Sequence, residues 1–355
     1  MKTNFTPGPS QLYFTVEDHA RRAFRDGIPS LTHRSKEFEN MYASVKEGLS
    51  ELLQLPSDYH VLFTASATEI WERVIENLVE ESSLHFVNGS FSARFYEIAK
   101  QLNRQPELAE VKEGLGFKNY SGNGRHEVVG LTHNETSTGV SLPLEFIHSF
   151  RAQQPDALVV VDAVSSLPYP SFDYKLIDSA FFSVQKAFGL PAGLGVWLAN
   201  DRCIAKAERL LAKGKSIGSY HTLPGLMSFA KKNQTPETPN VLGIYLLSKV
   251  LEDFNRKGIT QLRRETEYKA AILYQALEQS KTVSPFVHDT EFRSKTVIVA
   301  HCGDKTKDVA SVLQSKELFP GDGYGKSKQT QLRFANFPTH SKEQYELLAD
   351  TLAAL

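Results

Sequence analysis

The chain has 355 residues, enough for about two domains, because single hydrophobic cores stop growing at about 250 residues. It carries 40 Lys and Arg against 41 Asp and Glu, and the formal net charge of -1 gives no overall field that favours nucleic acid or an anionic membrane. Two cysteines are too few for a disulfide framework, and no long apolar segment occurs. These features predict a soluble, cytoplasmic protein.

From about residue 36 the chain alternates between helical periodicity and short apolar runs. The first helix is predicted over residues 36–55, where apolar side chains recur every three or four positions. The elements that follow are strands over 60–63, 84–87, 127–132, 157–161, 179–184 and 195–198, and helices over about 70–78, 93–102 and 144–150. This alternation predicts a three-layer α/β domain with a mostly parallel sheet. Such sheets bind ligands at the carboxyl ends of their strands.

A polar stretch with two prolines at residues 231–240 interrupts the periodicity and predicts a loop. Beyond it the pattern predicts helices over 241–254, 262–277 and 342–355, with strands over 296–299 and 332–334. We therefore predict a large domain over residues 16–245 and a smaller C-terminal α/β domain over 246–355. Residues 1–15 are expected to pack near the active site or the small domain.

The sequence does not match several familiar ligand-binding motifs. The stretch GDGYGKS at residues 321–327 lacks the P-loop glycine, because Pro320 stands five positions before its Gly-Lys-Ser, so it is predicted to be a turn. Gly193 and Gly195 lack the third glycine of a dinucleotide fingerprint. The sequence has no HExxH motif and no paired CxxC motif, so no metal site is predicted.

Polar residues instead follow several predicted strands. Ser66-Ala67-Thr68 precedes a helix, and its amides either seat a phosphate or are capped by Ser66 or Thr68. Asp162 ends an apolar strand and either faces solvent or pairs with a protonated heterocycle. Lys186 is the only charge in FFSVQKAFGLPAG. It is either a surface lysine or a nucleophile whose pKa is lowered by burial, able to form a Schiff base with a carbonyl.

The order of these features resembles the class V aminotransferases, which are pyridoxal-phosphate enzymes of fold type I, and most of all the phosphoserine aminotransferases among them. The resemblance runs from Gly8-Pro9 to Arg333-Phe334. It rests on the loop of Ser66-Ala67-Thr68, here called the phosphate seat, and on an aromatic residue after a strand. The other features are Asn134-Glu135-Thr136, the stretch DAVSS from Asp162, Gln185-Lys186 and a late Thr238-Pro239. It implies pyridoxal 5'-phosphate as cofactor and amino transfer between L-glutamate and 3-phosphohydroxypyruvate, giving 2-oxoglutarate and O-phospho-L-serine in serine biosynthesis.

The resemblance also implies roles for individual residues. Lys186 would hold the cofactor covalently and move the proton between substrate Cα and cofactor C4′, and Asp162 would pair with the pyridine N–H. Phe91 would stack on the ring and Thr136 would bond near its hydroxyl, with core packing and a turn hydroxyl as the alternatives. The cofactor phosphate would be held by Ala67, Thr68, Gln185 and, from a second subunit, Thr238. That last role implies a homodimer.

Two cationic positions are implied to select the substrate. Arg333 would bind the α-carboxylate bidentately, and His33-Arg34 would bind the distal phosphate or the distal carboxylate of glutamate. The alternatives are an exposed arginine and a solvated charged turn. The sequence departs from the family pattern at Ala65-Ser66, which replaces two glycines, and at Glu237, which replaces asparagine and puts a carboxylate near a phosphate. The phosphate loop also lacks the arginine found in some relatives.

Three other functions stay open at the level of sequence. The first is a class V aminotransferase of the alanine/serine–glyoxylate or serine–pyruvate type, which handles smaller substrates. The second is a cysteine desulfurase, for which Cys302 is the candidate reactive cysteine. The third is a fold-type I protein that has lost catalysis and serves as a binding module, against which the presence of both Lys186 and Asp162 argues.

Overall fold

The computed structural model describes residues 2–122 and 124–355. Eleven α-helices lie in the described residues: α1 (Val16–Arg25), α2 (Lys36–Leu53), α3 (Ala67–Leu78), α4 (Ser90–Gln101), α5 (Leu144–Gln153), α6 (Asp201–Ala212), α7 (Leu223–Ala230), α8 (Val241–Lys257), α9 (Ile259–Gln279), α10 (Thr306–Ser315) and α11 (Lys342–Ala353). No helix in this part of the chain has both the length and the apolar character to cross a membrane.

The strands that precede residue 250 are β1 (Thr3–Phe5), β2 (Tyr59–Thr64), β3 (Ser82–Val87), β4 (Gln105–Glu110), β5 (Val128–Thr132), β6 (Asn134–Glu135), β7 (Val140–Ser141), β8 (Leu158–Asp162), β9 (Ser179–Ser183) and β10 (Gly195–Asn200). Those that follow are β11 (Ser284–Pro285), β12 (Val297–His301), β13 (Leu318–Asp322) and β14 (Gln331–Ala335).

The larger sheet has seven strands in the order β2-β10-β9-β8-β5-β3-β4. Only β10 runs against its neighbours, so the other six strands point the same way. Strand β8 is buried at all five positions because helices cover both faces of the sheet, as its unbroken apolar run predicts. The predicted α/β fold with a mostly parallel sheet is confirmed.

Most predicted elements exist within a few residues of their predicted ends, but several elements were missed. Strand β4 lies at the edge of the sheet and reads QPELAE, so it lacks the apolar run of a buried strand. Helices α1 and α10 each bury only two or three side chains. Helix α6 should have been found, since Cys203, Ile204, Ala207 and Leu210 have helical spacing and are buried.

The smaller sheet, in the order β1-β13-β14-β12-β11, is built around a second hydrophobic core. Its first strand comes from the N-terminus: β1 pairs in parallel with β13, and Phe5 is buried in this core. Residue 1 of the predicted segment 1–15 lies outside the described residues. Helix α8 runs through the predicted boundary at residue 246, and its apolar side chains pack in the larger core. We therefore propose that the boundary between the domains lies after α8.

Candidate active site

The polar residues singled out in the sequence follow strands that end at one edge of the larger sheet. Asp162 is the last residue of β8, and Lys186 follows β9, its neighbour. The loop of Ser66 to Thr68 follows β2, and Thr136 lies beyond β5. Because these four strands are parallel, their carboxyl ends meet at the same edge.

The amine of Lys186 lies in a partly apolar environment at this edge. Its Nζ donates a hydrogen bond to the Pro7 carbonyl at 2.6 Å and lies 6.0 Å from the centroid of the Phe91 ring. Burial and then the charge of Arg333 lower the pKa of Lys186 to about 8, although Asp162 and Glu135 act in the opposite direction. A larger fraction of this amine is therefore uncharged at neutral pH than of an ordinary lysine, as a nucleophile requires.

The N-terminal segment covers Lys186. A Cβ atom on Gly8 would lie 2.1 Å from Lys186 Nζ, and Gly8 has a φ of 155°. The amide of Ser10 donates to the Gln185 carbonyl at 3.0 Å, which fixes the segment beside the lysine. Glycine is required at position 8 because any side chain would displace the lysine amine.

Asp162 is buried, with 3 % of its surface exposed. Its Oδ2 accepts a hydrogen bond from the Trp71 indole at 2.9 Å, and its Oδ1 accepts one from the Val164 amide at 2.9 Å. Burial raises the pKa of Asp162 to about 7, against the lowering effect of these two donors. The sequence analysis did not identify Trp71 as a partner of Asp162. The one signal for it was its position, one turn into the helix that follows the phosphate seat.

Glu135 is a fully buried carboxylate that holds the start of α4. It accepts hydrogen bonds from the amide and hydroxyl of Ser92, from the amide and hydroxyl of Ser137, and from the amide of Phe91. A carboxylate at a helix N-terminus is favoured by both the free N–H groups and the helix dipole. Glu135 therefore positions Phe91, although the sequence reading gave it no role.

Replacing Glu135 with glutamine should test this role. The amide keeps the shape of the side chain but turns a donor toward groups that are themselves donors, so we expect a loss of about 2–3 kcal/mol in the free energy of unfolding. Urea unfolding followed by circular dichroism measures it. Glu145→Gln is the matched control, because Glu145 is exposed in the first turn of α5 and should change stability by less than about 0.5 kcal/mol. Equal stabilities of the two variants would contradict the role of Glu135.

Thr136, the residue after Glu135, is also buried, and its hydroxyl donates a hydrogen bond to Ser165 Oγ at 2.7 Å. Its carbonyl accepts a hydrogen bond from Arg333 Nη1 at 3.1 Å. Arg333 lies on β14 of the smaller sheet and also donates from Nε to the Asp322 carbonyl at 2.7 Å. The structure thus brings the predicted carboxylate-binding arginine to the group formed by Lys186 and Asp162.

An aromatic side chain completes this side of the site. The Tyr324 ring lies 5.0 Å from the Phe91 ring, and the Arg333 guanidinium carbon lies 5.4 Å from the Tyr324 centroid. Tyr324 belongs to the stretch GDGYGKS, which the sequence reading treated only as a turn. The turn is present, but its tyrosine faces the candidate site, and no periodicity could have shown this.

The predicted phosphate seat is also a capped helix start. Ser66 is the N-cap of α3, since its Oγ accepts from the Glu69 amide, and the Ala67 amide donates to Ser183 Oγ at 2.9 Å. The Thr68 side chain is exposed at this end of the helix. Nearby, Gln185 Oε1 is buried without a hydrogen-bond partner. Capping and phosphate binding are compatible here, because the cap uses only part of the donors of the first turn.

The remaining predicted residues form a separate group. Arg34 donates to the carbonyls of Thr235 at 2.6 Å and Pro236 at 3.2 Å, and its guanidinium carbon lies 4.9 Å from the Phe229 ring centroid. The His33 ring packs edge-on against Phe38. Thr238 is exposed two residues beyond Pro236. The structure therefore places Arg34 with the loop that carries Thr238, and its described contacts do not include Lys186 or Asp162.

The chain is similar to known proteins over nearly its whole length. The family profile described as Aminotransferase class-V matches residues 4–320. A phosphoserine aminotransferase of Rhodococcus opacus is 29 % identical over 350 residues, 97 % of this chain and 91 % of that protein. A crystal structure of a phosphoserine aminotransferase from Cytophaga hutchinsonii is 52 % identical, with a TM-score of 0.98 over 99 % of this chain and 98 % of that one.

A more distant structure shares the fold alone. The alanine–glyoxylate aminotransferase of Nostoc is 22 % identical, with a TM-score of 0.80 over 100 % of this chain and 95 % of that one. The two structural matches extend over both sheets and include β8, which ends at Asp162, and β9, which Lys186 follows. The chain therefore belongs to the class-V aminotransferase family.

Proposed function

We propose that this aminotransferase uses pyridoxal 5'-phosphate to pass an amino group between L-glutamate and 3-phosphohydroxypyruvate, giving 2-oxoglutarate and O-phospho-L-serine. The observation that carries the proposal is the group of Lys186, Asp162 and Arg333, which combines a lysine of lowered pKa, a buried carboxylate and a guanidinium. The names of the relatives from Rhodococcus and Cytophaga support the choice of substrate.

The donor set fits the proposed cofactor. Lys186 offers an amine to an aldehyde, and Asp162 offers a buried carboxylate to a protonated ring nitrogen, a pairing that would also return its pKa toward the ordinary range. The Thr68 hydroxyl and the free backbone N–H groups at the start of α3 are donors that suit a phosphate. The Gln185 amide would bind it through its NH2 group, because the unpartnered Oε1 only accepts hydrogen bonds. When bound, pyridoxal phosphate supplies an electron sink for the pair left at the substrate Cα.

The chain's own residues would then bind the substrate and move its proton. Arg333 uses two donors for the carbonyls of Asp322 and Thr136, which fixes its plane and leaves its other N–H groups for the α-carboxylate. Lys186 Nζ, of which a larger fraction is uncharged than of an ordinary lysine, would accept the proton from the substrate Cα. Phe91, held by Glu135, covers one face of the site.

We propose a homodimer in which part of each site comes from the partner. Thr238 is exposed in the single chain, and Arg34 is hydrogen-bonded to the same loop. A loop that carries Thr238 to the partner's cofactor phosphate would carry Arg34 with it, so we assign His33-Arg34 and Thr238 to the same neighbouring site. We also propose a cytoplasmic location, which the two free cysteines support.

The alternative functions have less support. A class V aminotransferase for alanine or serine with glyoxylate or pyruvate needs no distal anion site, whereas this chain offers Arg34. For a cysteine desulfurase, Cys302 is unsuitable because its thiol is buried, and burial raises its pKa to about 11. The first alternative is therefore the one that an experiment must separate.

Alanine variants of the two arginines test the substrate. We expect Arg333→Ala to lower kcat/KM for every amino donor by roughly 10²-fold or more, because each has an α-carboxylate. Arg34→Ala should lower kcat/KM for phosphoserine to a similar extent and leave alanine turnover unchanged. Steady-state kinetics with phosphoserine, glutamate, alanine and serine measures both effects.

Arg25→Ala, at an exposed position at the end of α1, is the control and should change neither rate. The phosphoserine assignment is wrong if Arg34→Ala leaves phosphoserine turnover unchanged while Arg333→Ala abolishes it.

A further inference from the structure

Three titratable side chains form a cluster around a buried histidine beside the candidate phosphate seat, the Glu69–His221–Glu237 cluster. His221 Nδ1 lies 2.5 Å from Glu69 Oε1, and His221 Nε2 lies 2.9 Å from Glu237 Oε2. The His221 side chain is 2 % exposed. Its ring stacks on Tyr220, with centroids 3.9 Å apart. Two partly exposed carboxylates, 18 % for Glu69 and 25 % for Glu237, thus face one buried imidazole.

The cluster joins the phosphate seat of this chain to the loop that carries Thr238, which we propose for the partner's cofactor phosphate. Glu69 Oε2 accepts a hydrogen bond from the Ala65 amide at 2.8 Å, so this carboxylate shapes the turn that replaces the family's two glycines. The Glu69 amide donates to the cap residue Ser66. At the other end, Glu237 is the direct neighbour of Thr238. The side chain of His221 therefore lies between the phosphate seat and the loop that carries Thr238.

The net charge of this cluster depends on whether His221 is protonated. Burial alone would lower the pKa of His221, but Glu237 and Glu69 raise it to about 9. The imidazolium leaves the cluster with one net negative charge, whereas a neutral ring would leave two. Arg73 also lies near, but it already pairs with Glu72 and Glu76 and donates to the Tyr220 carbonyl. Within the described contacts, His221 is thus the cation that faces both Glu69 and Glu237.

We propose that His221 is a positioning residue for the cofactor phosphate: its imidazolium balances Glu69 and Glu237, so Glu69 can order the seat and Glu237 can hold the loop that carries Thr238 without either carboxylate repelling a cofactor phosphate. The inference rests on the proposed function, which puts the phosphate of pyridoxal 5'-phosphate at this seat. It also accounts for Glu237, since the paired histidine offsets the charge that this departure from the family pattern introduces.

Equilibrium binding of pyridoxal phosphate to the cofactor-free chain, followed by its visible absorbance, tests the proposal without an activity assay. His221→Gln should weaken binding roughly ten-fold at pH 7.5, because it adds one net negative charge beside an anion in a partly screened site. The double variant His221→Gln/Glu237→Gln returns the cluster to one negative charge and should bind within about two-fold of wild type. Glu237→Gln alone should bind at least as tightly as wild type.

The pH dependence supplies a readout that loss of structure would not move. Wild-type affinity should fall as the pH rises through about 9, where the imidazolium loses its proton, and the double variant should lack that fall. His60→Gln is the control, since His60 also pairs with a carboxylate, Asp201, but on an exposed surface. It should bind the cofactor like wild type.

The outcomes separate this inference from the proposed function. If the wild-type chain takes up no pyridoxal phosphate, the proposed function fails. If wild type binds it and His221→Gln binds as tightly, only the role of His221 is overturned. Should His221→Gln fail to fold, Glu237→Gln still decides: tighter or equal binding supports the proposal, and weaker binding overturns it.

Discussion

Replacing Lys186 with alanine is expected to lower the rate of amino transfer by roughly 10²–10⁴-fold or more, because the variant loses the base that takes the proton from the substrate Cα. It should also lose the visible absorbance that depends on a lysine linked to the cofactor. The wild-type chain should link pyridoxal phosphate faster as the pH rises and reach a plateau above about pH 8, since the reactive amine is the uncharged form. Absorbance spectra and stopped-flow mixing with the cofactor measure both effects.

Two comparisons separate chemistry from structure in this experiment. Lys186→Arg keeps a cation of similar length that cannot lose its proton, so it should be as inactive as the alanine variant. Lys269→Met removes a different buried lysine, whose pKa burial lowers to about 7 and whose Nζ holds the carbonyls of Phe337 and His340. That variant should lose stability but keep the visible absorbance. A Lys186→Ala chain that kept a band bleached by amino donors would contradict the assignment.

Local pattern was enough to predict the larger sheet and the edge at which the candidate site lies. Strands β5, β8 and β9 are buried on both faces, so their residues form apolar runs whose ends are readable. Asp162 and Lys186 stand where those runs end, which made each a visible exception. The edge strand β4 and the half-exposed helices bury too little surface to leave such a signal.

The partners of these residues could not be read in the same way. Trp71, Glu135 and Tyr324 reach the site from three elements that lie apart in the sequence, and each looks ordinary in its own segment. Glu237 seemed from sequence to repel a phosphate, because the histidine that faces it is 16 positions away at His221. Charge balance between distant segments is a property of the folded chain and has no local periodicity.

Burial shifts the pKa values of the two central residues in opposite directions. Burial lowers the pKa of Lys186 to about 8 and raises that of Asp162 to about 7, so both groups move toward neutrality. A neutral amine is what attack on an aldehyde needs. A carboxylate that ionises only with difficulty suits a site whose proposed ligand brings its own cation, the protonated ring nitrogen. The ionised Asp162 therefore lowers the free energy of unfolding of the cofactor-free chain, and ligand binding should remove this loss.

The Asp162→Asn variant tests both this loss of stability and the role of the carboxylate. The raised pKa means that the folded chain holds a proton on Asp162 between about pH 4 and 7 where the unfolded chain does not, so stability falls as the pH rises through this range. Without cofactor, the asparagine variant should be more stable than wild type at pH 8, on the order of a few kcal/mol, and equal to it near pH 4. Urea unfolding at both pH values measures the difference.

With pyridoxal phosphate bound the order should reverse, because only the carboxylate can balance a charged ring nitrogen, and turnover by Asp162→Asn should fall roughly 10²–10⁴-fold. Asp178→Asn is the matched control. Asp178 is also fully buried, but Arg151 and Arg202 lie 2.6 Å and 2.9 Å from its oxygens, so the substitution should destabilise the chain by about 3–5 kcal/mol with or without cofactor. If Asp162→Asn behaved like Asp178→Asn, Asp162 would be a structural carboxylate and not the partner of the cofactor ring.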